Sequence, residues 1–254
     1  MAPILADWEA RMLPRRIKSL VNRCLASQGL YLTRGLQRTS NQWNDIEQAL
    51  GAHSFRNFVD VGANMGQSVE AMLKFRPGAH IWAIEPGAAV YEQLSAKFKA
   101  NPRVDCSNLA LGAEVGQGVL NVARTSFTSY LERGSQPIAQ DEIVAQQPVA
   151  IRTLDSFCRQ KRIERIDYLK IDAEGSDLDV LRGAEGMLSS GGIYLVECEC
   201  GMHPGNKVHV PFEAIKAHLE ARNYRVFGIY EQSSEWLERK PFLRRVNALF
   251  LLAD

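Results

Sequence analysis

The chain has 254 residues, of which 46% are hydrophobic, so it is long enough to bury a full core in one main domain. Its 30 Lys and Arg residues nearly balance its 29 Asp and Glu residues. A nucleic-acid partner is therefore not expected, because binding one needs clustered positive charge. The five cysteines are odd in number and scattered, which argues against a disulfide framework and is typical of a reducing compartment.

Positive charge is concentrated at the start of the chain, where residues 1–40 hold seven Lys and Arg against two Asp and Glu. The segment 11–25 predicts a short basic amphipathic helix. Such a helix can lie on an anionic membrane surface, but it can also cap a folded domain. Since either role needs an apolar face, that face does not by itself indicate a membrane, and we favour the second interpretation. We predict an N-terminal basic helical appendage over residues 1–50 and one main domain over 51–254.

Neither a membrane span nor a leader is predicted, since no apolar run approaches the ~18–20 residues that cross a bilayer and the N-terminus lacks the leader pattern. We therefore expect a cytoplasmic protein. Any membrane contact would be peripheral, on the inner face, through the basic segment.

From residue 55 onward, apolar runs of strand length alternate with segments of helical period, which predicts β-α units building a parallel sheet. The last two strands are separated by a charged loop with no room for a crossover helix, so they should pair antiparallel. Segment 112–152 interrupts the rhythm with Gly, Gln, Ser and Pro, and predicts an irregular insertion or hairpin. Ser176 and Asp179 have the spacing of a capping box at a helix start. The predicted strands are 55–61, 79–85, 103–107, 166–172, 192–199, 224–230 and 247–252.

The most informative motif is Val59-Asp-Val-Gly-Ala-Asn-Met-Gly66, a strand that runs into a glycine loop and then a helix. Gly62 and Gly66 allow a tight turn, and the following helix N-terminus favours a carboxylate or phosphate. Glu85 closes the next strand, where its carboxylate can bind both hydroxyls of a ribose, and Pro86 stops that strand from continuing.

This spacing lacks the Gly-x-Gly-x-x-Gly loop that a nicotinamide enzyme uses for its pyrophosphate. With Asp60 before it, Gly62-x-x-x-Gly66 instead suits a ligand with a ribose, no phosphate and an ammonium group, and S-adenosylmethionine is such a ligand. Taken alone the motif is weak and can mark only a tight turn. Its position between two predicted strands, with Glu85 after the second, favours a ligand site.

Several separate segments resemble the FkbM-type methyltransferases, a family of S-adenosylmethionine-dependent O-methyltransferases. They span about residues 55–254, and Lys170-Ile-Asp-Ala-Glu-Gly175 is the most specific of them. The matching segments are Phe58–Gly66, Ile84–Pro86, Asn108–Gly112, Thr153–Phe157, Tyr168–Gly175, Val180–Ala184 and Asn247–Phe250.

The resemblance implies a class I methyltransferase fold: a Rossmann-like, three-layer α/β sandwich with a mostly parallel seven-stranded sheet and an antiparallel last strand. It implies methyl transfer to a hydroxyl of a small molecule or glycan, such as a sugar, a glycolipid or a secondary metabolite. It also places Asn108 and Ala110 near the adenine. The full predicted set of cofactor-binding residues is Asp60, Gly62, Asn64, Gly66, Glu85, Pro86, Asn108 and Ala110.

An alcohol attacks a methyl group only if its proton is removed, so the site needs a base, a metal or a concerted proton transfer. Asp172, at the end of the fourth predicted strand, and Glu174 are candidates, although either can serve only to hold the loop, and Lys170 can neutralise one of them. Polar residues after the fifth strand add Glu197, Glu199, His203 and His209. We predict a catalytic set of Asp172, Glu174, Glu197 and His203.

Two metals are considered, although none is assigned. Magnesium held by Asp172, Glu174 or Glu197 would acidify the acceptor hydroxyl. Zinc held by Cys198, Cys200, His203 and His209 is less favoured, because the spacing departs from zinc-finger patterns. Strand alternation puts Glu197 and Glu199 on the face opposite the two cysteines, so these two pairs cannot simply form one site.

The polar and aromatic segment Arg124–Tyr130 suits a sugar or polyketide acceptor, and the resemblance places Thr128 and Ser129 at the rim of the site; an ordinary surface hairpin is the alternative. Two other functions stay open. One is a nicotinamide-dependent oxidoreductase, disfavoured by the missing third glycine. The other is a non-catalytic interaction module that keeps the methyltransferase fold, disfavoured because the glycine loop and Glu85 are retained.

Overall fold

Short apolar strands alternate with amphipathic helices, and in the computed structural model of the protein this alternation gives a layered α/β fold. The structure describes residues 41–123, 130–131, 143–234 and 242–253. The predicted basic helix at 11–25 therefore lies outside the described residues. Within them, no helix is long and apolar enough to cross a membrane.

The chain divides into two compact units, residues 1–52 and 53–254. In the first unit, helix α1 spans Gln42–Leu50, and the side chain of Asn41 caps it by accepting the N–H groups of Trp43 and Asn44. The described residues of the second unit include the helices α2 (Gln67–Phe75), α3 (Ala88–Phe98), α4 (Leu154–Lys161), α5 (Asp177–Arg182), α6 (Glu185–Ser189) and α7 (Phe212–Glu220).

The strands form two sheets, and their bounds are β1 (Asn57–Val61), β2 (His80–Ile84), β3 (Val104–Ser107), β4 (Ala110–Leu111), β5 (Gly116–Ala123), β6 (Tyr130–Leu131), β7 (Ile143–Arg152), β8 (Ile166–Ile171), β9 (Ile193–Gly201), β10 (Tyr224–Ser234) and β11 (Leu243–Leu252). The main sheet has seven strands in the order β10-β11-β9-β8-β1-β2-β3. All the pairs from β3 to β9 are parallel, whereas β11 is antiparallel to both of its neighbours.

This topology confirms the predicted class I methyltransferase fold. The chain order reverses between β1 and β8, because β2 and β3 extend the sheet on one side of β1 while the later strands extend it on the other. In open α/β sheets, ligands bind at the carboxyl ends of the strands at such a switch point. The loops after β1, β2 and β8 are therefore the parts of the chain that form the site.

The segment predicted as an irregular insertion or hairpin contributes to a separate four-stranded sheet with the order β4-β7-β5-β6. The long strands β5 and β7 pair antiparallel over most of their lengths, with one register shift near Ala123. Ala110, Leu120 and Val149 form its small core. The hairpin is thus confirmed, and its described part is more regular than the sequence suggested.

Strand alternation gives the main sheet two chemically different faces. One face carries Ile171, Cys198 and Cys200 into a core that includes Leu181 of α5 and Ile215 of α7. The opposite face carries Glu197 and Glu199, as predicted, and also Lys170. Both cysteines lie in the apolar core, whereas His209 contacts Glu199 on the opposite face of β9. The residues present therefore do not fit the zinc set that combined the cysteines with His203 and His209.

The capping box predicted at Ser176 is not formed. Ser176 is the N-cap of α5, but its side chain makes no capping hydrogen bond, and the Asp179 carboxylate pairs with Arg182 at 2.9 Å. The adjacent Asp177 instead accepts the N–H of Gly175 at 3.2 Å. Asp177 is buried, and its carboxylate satisfies a backbone N–H group of the turn before α5. This bond replaces the one predicted for Ser176 and Asp179.

Candidate active site

The turn after β1 depends on two glycines with left-handed backbone. Gly62 has φ of 80°, and a Cβ there would overlap the backbone carbonyl oxygen of Asp172. Gly66, with φ of 82°, begins α2, and a Cβ there would overlap the ring of Phe98. Since no other residue tolerates both the dihedral and the crowding, these glycines bring the loop after β1 against the end of β8 and let α2 pack on α3.

Glu85 follows β2 and is held by the loops around it. Its carboxylate accepts the N–H of Gly87 at 2.7 Å and the N–H of Asn64 at 3.0 Å. The side-chain amide of Asn108 donates to the carbonyls of Glu85 and Pro86 at 2.9 and 3.0 Å. Burial raises the pKa of Glu85, although the two backbone donors oppose this shift. The carboxylate is thus fixed in direction at the carboxyl edge of the sheet.

Among the residues that the structure describes, no hydrogen-bond partner is found for two buried oxygens near this turn, Oδ1 of Asp60 and Oδ1 of Asn64. The other carboxylate oxygen of Asp60 accepts from the hydroxyl of Ser68. Burial raises the pKa of Asp60, and Lys170 opposes that rise. Unpaired buried acceptors are rare and costly, so these two atoms are suited to donors from a bound molecule.

Ala110 takes a different position from the one the sequence suggested. Its side chain is 4% exposed and packs in the core of the second sheet with Leu120 and Val149. The side chain therefore has no open surface toward a ligand. Asn108 and Pro86 lie beside Glu85, whereas Ala110 supports the neighbouring sheet.

Lys170 occupies the polar face of the main sheet, in register with Asp60 on β1 and Glu197 on β9. Its ammonium lies 2.9 Å from Oδ2 of Asp172. Burial alone would lower the pKa of Lys170, but the carboxylates of Asp172, Asp60 and Glu197 outweigh it and leave the pKa raised. Lys170 therefore stays protonated and compensates the acidic groups around it.

Of the predicted catalytic residues, Asp172 reaches the open edge and Glu197 does not. The side chain of Asp172 is 34% exposed at the end of β8. Glu197 is only 1% exposed, and it accepts from the Tyr168 hydroxyl and from Nδ2 of Asn247 at 2.7 Å. Because its oxygens are engaged below the open edge, Glu197 is a structural carboxylate, and its assignment as a base is corrected.

His203 lies in the turn that follows β9, where its Nδ1 accepts the N–H of Gly205 at 3.0 Å. In the part of the chain that the structure describes, three acidic and histidine side chains form a cluster that does not include His203: Glu174, Glu199 and His209, whose polar atoms lie within 4.8 Å of one another.

Glu199 is the centre of this cluster. Its Oε2 lies 2.7 Å from Nε2 of His209, and its Oε1 accepts from the guanidinium of Arg245. Asn206 lies 3.0 Å from Nδ1 of His209 on the other side of the ring. The side chains of Glu199 and His209 are only 10% and 8% exposed. The cluster is therefore a nearly buried chain of hydrogen bonds.

The protonation states of this region are shifted toward neutral groups. Burial, followed by the negative charge of Asp172, raises the pKa of Glu174 to about 7. Burial raises the pKa of Asp177 to about 7 in the same way. Burial lowers the pKa of His209. A carboxyl group that titrates near 7 and lies at the edge of the sheet is suited to accept a proton at neutral pH.

The residues present do not fit a magnesium site of the predicted kind. Glu197 is engaged with Tyr168 and Asn247, and the carboxylate of Asp172 is paired with Lys170. Although Glu174, Glu199 and His209 have metal-ligand chemistry, both Glu199 oxygens already accept from Arg245 and His209. The donor set is therefore an ion-paired network, and no reaction step requires a metal in it.

The predicted rim residues Thr128 and Ser129 lie outside the described residues. Glu199 and His209 carried only a general signal in the sequence, because both belong to a polar stretch after an apolar strand. Nothing in the spacing indicated that they pair, since a loop of ten residues brings His209 back to the strand end.

Comparison with solved structures gives likenesses of low identity. Fibrillarin from Aeropyrum pernix with bound S-adenosylmethionine is 12% identical, with a TM-score of 0.46 and coverage of 80% of this chain and 69% of that chain. The N-terminal domain of human METTL16 with SAH is 12% identical, with a TM-score of 0.43 and coverage of 94% and 82%. An S-adenosylmethionine-dependent methyltransferase from Clostridium acetobutylicum is 9% identical, with a TM-score of 0.44 and coverage of 94% and 98%. Similarity of this degree carries no information about the substrate.

No curated protein sequence matches the chain. The Methyltransferase FkbM domain family matches it over residues 60–226, from Asp60 of the glycine motif to Val226 of β10. This match includes the loops after β1, β2 and β8 that form the site, and it covers well over half of the chain. The protein therefore belongs to the FkbM methyltransferase domain family.

Proposed function

We propose that the protein is an S-adenosylmethionine-dependent O-methyltransferase that methylates a hydroxyl of a sugar, a glycolipid or a secondary metabolite. The observation that carries the proposal is the pair of buried oxygens of Asp60 and Asn64, which have no partner within the described part of the chain and lie near the fixed carboxylate of Glu85. These three residues lie at the loops of the switch point of a methyltransferase fold.

The residues at this edge fit the cofactor group by group. The carboxylate of Asp60 would attract its ammonium, and Oδ1 of Asn64 would accept one of its N–H or O–H groups. Glu85 would accept hydrogen bonds from the ribose hydroxyls, using the lone pairs that its two backbone donors leave open. When bound, S-adenosylmethionine supplies a methyl group on a positively charged sulfur, which makes that carbon electrophilic.

The chemistry of the acceptor follows from the acidic groups at the open edge. Asp172 and Glu174 lie in the turn after β8, where a carboxylate can take the proton of a hydroxyl. A base of this kind is needed by an alcohol, whose pKa is far above neutrality. The choice of a sugar or metabolite follows the resemblance of the sequence to its family, and the nearly balanced charge of the chain favours a small acceptor over a nucleic acid.

The proposal is tested by transfer of radiolabelled methyl groups from S-adenosylmethionine to monosaccharides, glycolipids and polyketide alcohols. We expect label in an ether that survives mild alkali, and a rate that changes by less than about twofold on addition of EDTA, because no step requires a metal. A matched control is Asp105→Asn, whose carboxylate pairs with Lys161 on the surface and should leave the rate unchanged. Label found only in methyl esters or methylamines, or a rate abolished by EDTA, would contradict the proposal.

A further inference from the structure

The turn Asp172–Gly175 is locked against the loop that carries His209. Glu174 has a left-handed backbone with φ of 45°, which is uncommon for a residue with a side chain. Gly175 follows with φ of 90°, and a Cβ there would overlap the carbonyl oxygen of Val208. The backbone therefore holds Glu174 in a strained conformation beside the residue that precedes His209, and such strain is concentrated at functional sites.

The loop on the other side is equally constrained. Oδ1 of Asn206 accepts the N–H groups of Val208 and His209, both at 3.1 Å, and its Nδ2 donates to the carbonyl of Arg244 at 2.9 Å. The N–H of Gly201 donates to the carbonyl of Val210 at 2.8 Å and closes the loop at its base. The position of His209 is thus fixed by hydrogen bonds within its own loop, in addition to its contact with Glu199.

Since both oxygens of Glu199 are engaged by His209 and Arg245, the cluster has one carboxyl group that none of these bonds neutralises, that of Glu174. The charged groups that face Glu174 are Asp172 in its own turn, Asp177 on α5, Glu199 on β9, His209 in the loop before α7 and Arg245 on β11. The carboxylate of Asp172, by contrast, is already engaged by the ammonium of Lys170 at 2.9 Å.

We propose that Glu174 is the catalytic residue that takes the proton of the acceptor hydroxyl, and that Glu199, Arg245 and His209 are positioning residues that hold it at the reacting edge. This inference rests on the proposed function. The acceptor oxygen forms its bond to the methyl carbon while the bond from that carbon to sulfur breaks, and the electron pair stays on sulfur as a neutral thioether. The hydroxyl proton passes to the Glu174 carboxylate, so no oxidant or further reactant is needed.

Proton release on ligand binding tests the inference without an acceptor. The positive sulfur of S-adenosylmethionine would stabilise ionised Glu174, whereas neutral S-adenosylhomocysteine would not. With its pKa at about 7, about half of Glu174 is protonated at pH 7. We therefore expect S-adenosylmethionine to release about 0.3 to 0.5 more protons than S-adenosylhomocysteine. Calorimetry in buffers of different ionisation enthalpy measures this difference.

Substitutions assign the released proton. Glu174→Gln should reduce the difference to below about 0.1 proton while both ligands still bind. Arg245→Gln should raise the pKa of Glu174 and move the pH of maximal release upward, because Arg245 lowers that pKa. Arg245→Lys keeps the charge and should restore the original pH. A merely structural Arg245 would not give this pattern of shift and rescue.

Three results would overturn the inference. The first is an unchanged difference in Glu174→Gln, and the second is its loss in Asp177→Asn instead, since Asp177 also has a pKa of about 7. The third is no shift in Arg245→Gln. If neither ligand binds the wild-type protein, the proposed function itself fails, and this failure is distinct because no heat of binding is seen.

Folding of the Glu174→Gln variant is checked by thermal melts at pH 5 and pH 8. Burial raises the pKa of Glu174 from its ordinary 4.5 to about 7. The folded state is therefore destabilised as pH rises from 4.5 to about 7, with the full loss of stability above pH 7 and none below pH 4.5. The glutamine variant avoids that cost. We expect its melting temperature to exceed that of wild type by a larger difference at pH 8 than at pH 5.

Discussion

Replacing Glu85 by glutamine is expected to weaken the binding of S-adenosylmethionine by a factor of about 10 to 100. The carboxylate receives the backbone N–H groups of Asn64 and Gly87 and has lone pairs left for the ribose hydroxyls. A glutamine side chain keeps the shape but turns one acceptor into a donor, which faces a backbone N–H. Hydrogen bonds to charged groups contribute about 1.5–3 kcal/mol, which corresponds to this loss of affinity.

Calorimetric titration measures the effect, and Glu92→Gln is its matched control. Glu92 lies on α3, a few residues after Glu85, and its side chain is exposed. The control should bind the cofactor as wild type does. Equal affinities of the two variants would show that Glu85 does not contact the ribose.

Replacing Gly62 by alanine is expected to destabilise the fold by about 2–4 kcal/mol. The left-handed backbone at φ of 80° costs an alanine about 1 kcal/mol, and the new Cβ would overlap the carbonyl of Asp172 on the neighbouring strand end. The loops after β1 and β8 would have to separate. For a chain of this size the melting temperature should fall by roughly 5–15 °C.

Gly78→Ala is the control for this prediction. An added Cβ at Gly78 meets no atom of the described residues within 4 Å. We expect its melting temperature to stay within about 2 °C of wild type, since an open and unstrained position accepts alanine at little cost. If Gly62→Ala had the same melting temperature as Gly78→Ala, the close approach of the loops after β1 and β8 would not be a feature of the folded protein.

The architecture could be predicted from the sequence because each strand carries its own local signal. The apolar run that ends in Val61 and the glycine turn after it predict both a buried parallel strand and its carboxyl-edge loop. The charged loop before β11 has no room for a crossover helix, which predicts antiparallel pairing, and the sheet has that pairing.

The acidic site was harder to predict. The alternation of side chains along a strand predicts the face of the sheet on which a residue lies, but not how deeply its side chain is buried. Glu197 and Glu199 share the same face of β9, yet the first lies beneath the edge with Tyr168 and the second reaches the cluster. A two-residue difference along one strand decides which carboxylate is available. The pairing of Glu199 with His209 depends on a loop closed by Asn206, a tertiary contact that no period in the sequence reports.

The measurement that most directly tests the central claim is calorimetric titration of the protein with S-adenosylmethionine, S-adenosylhomocysteine and NAD. The site should bind the first two with dissociation constants in the micromolar range, or roughly −8 kcal/mol, and should not bind NAD, because the loop after β1 has no third glycine for a pyrophosphate. Absence of binding by either adenosyl compound would contradict the methyltransferase account and favour a non-catalytic interaction module. Binding of NAD alone would favour an oxidoreductase.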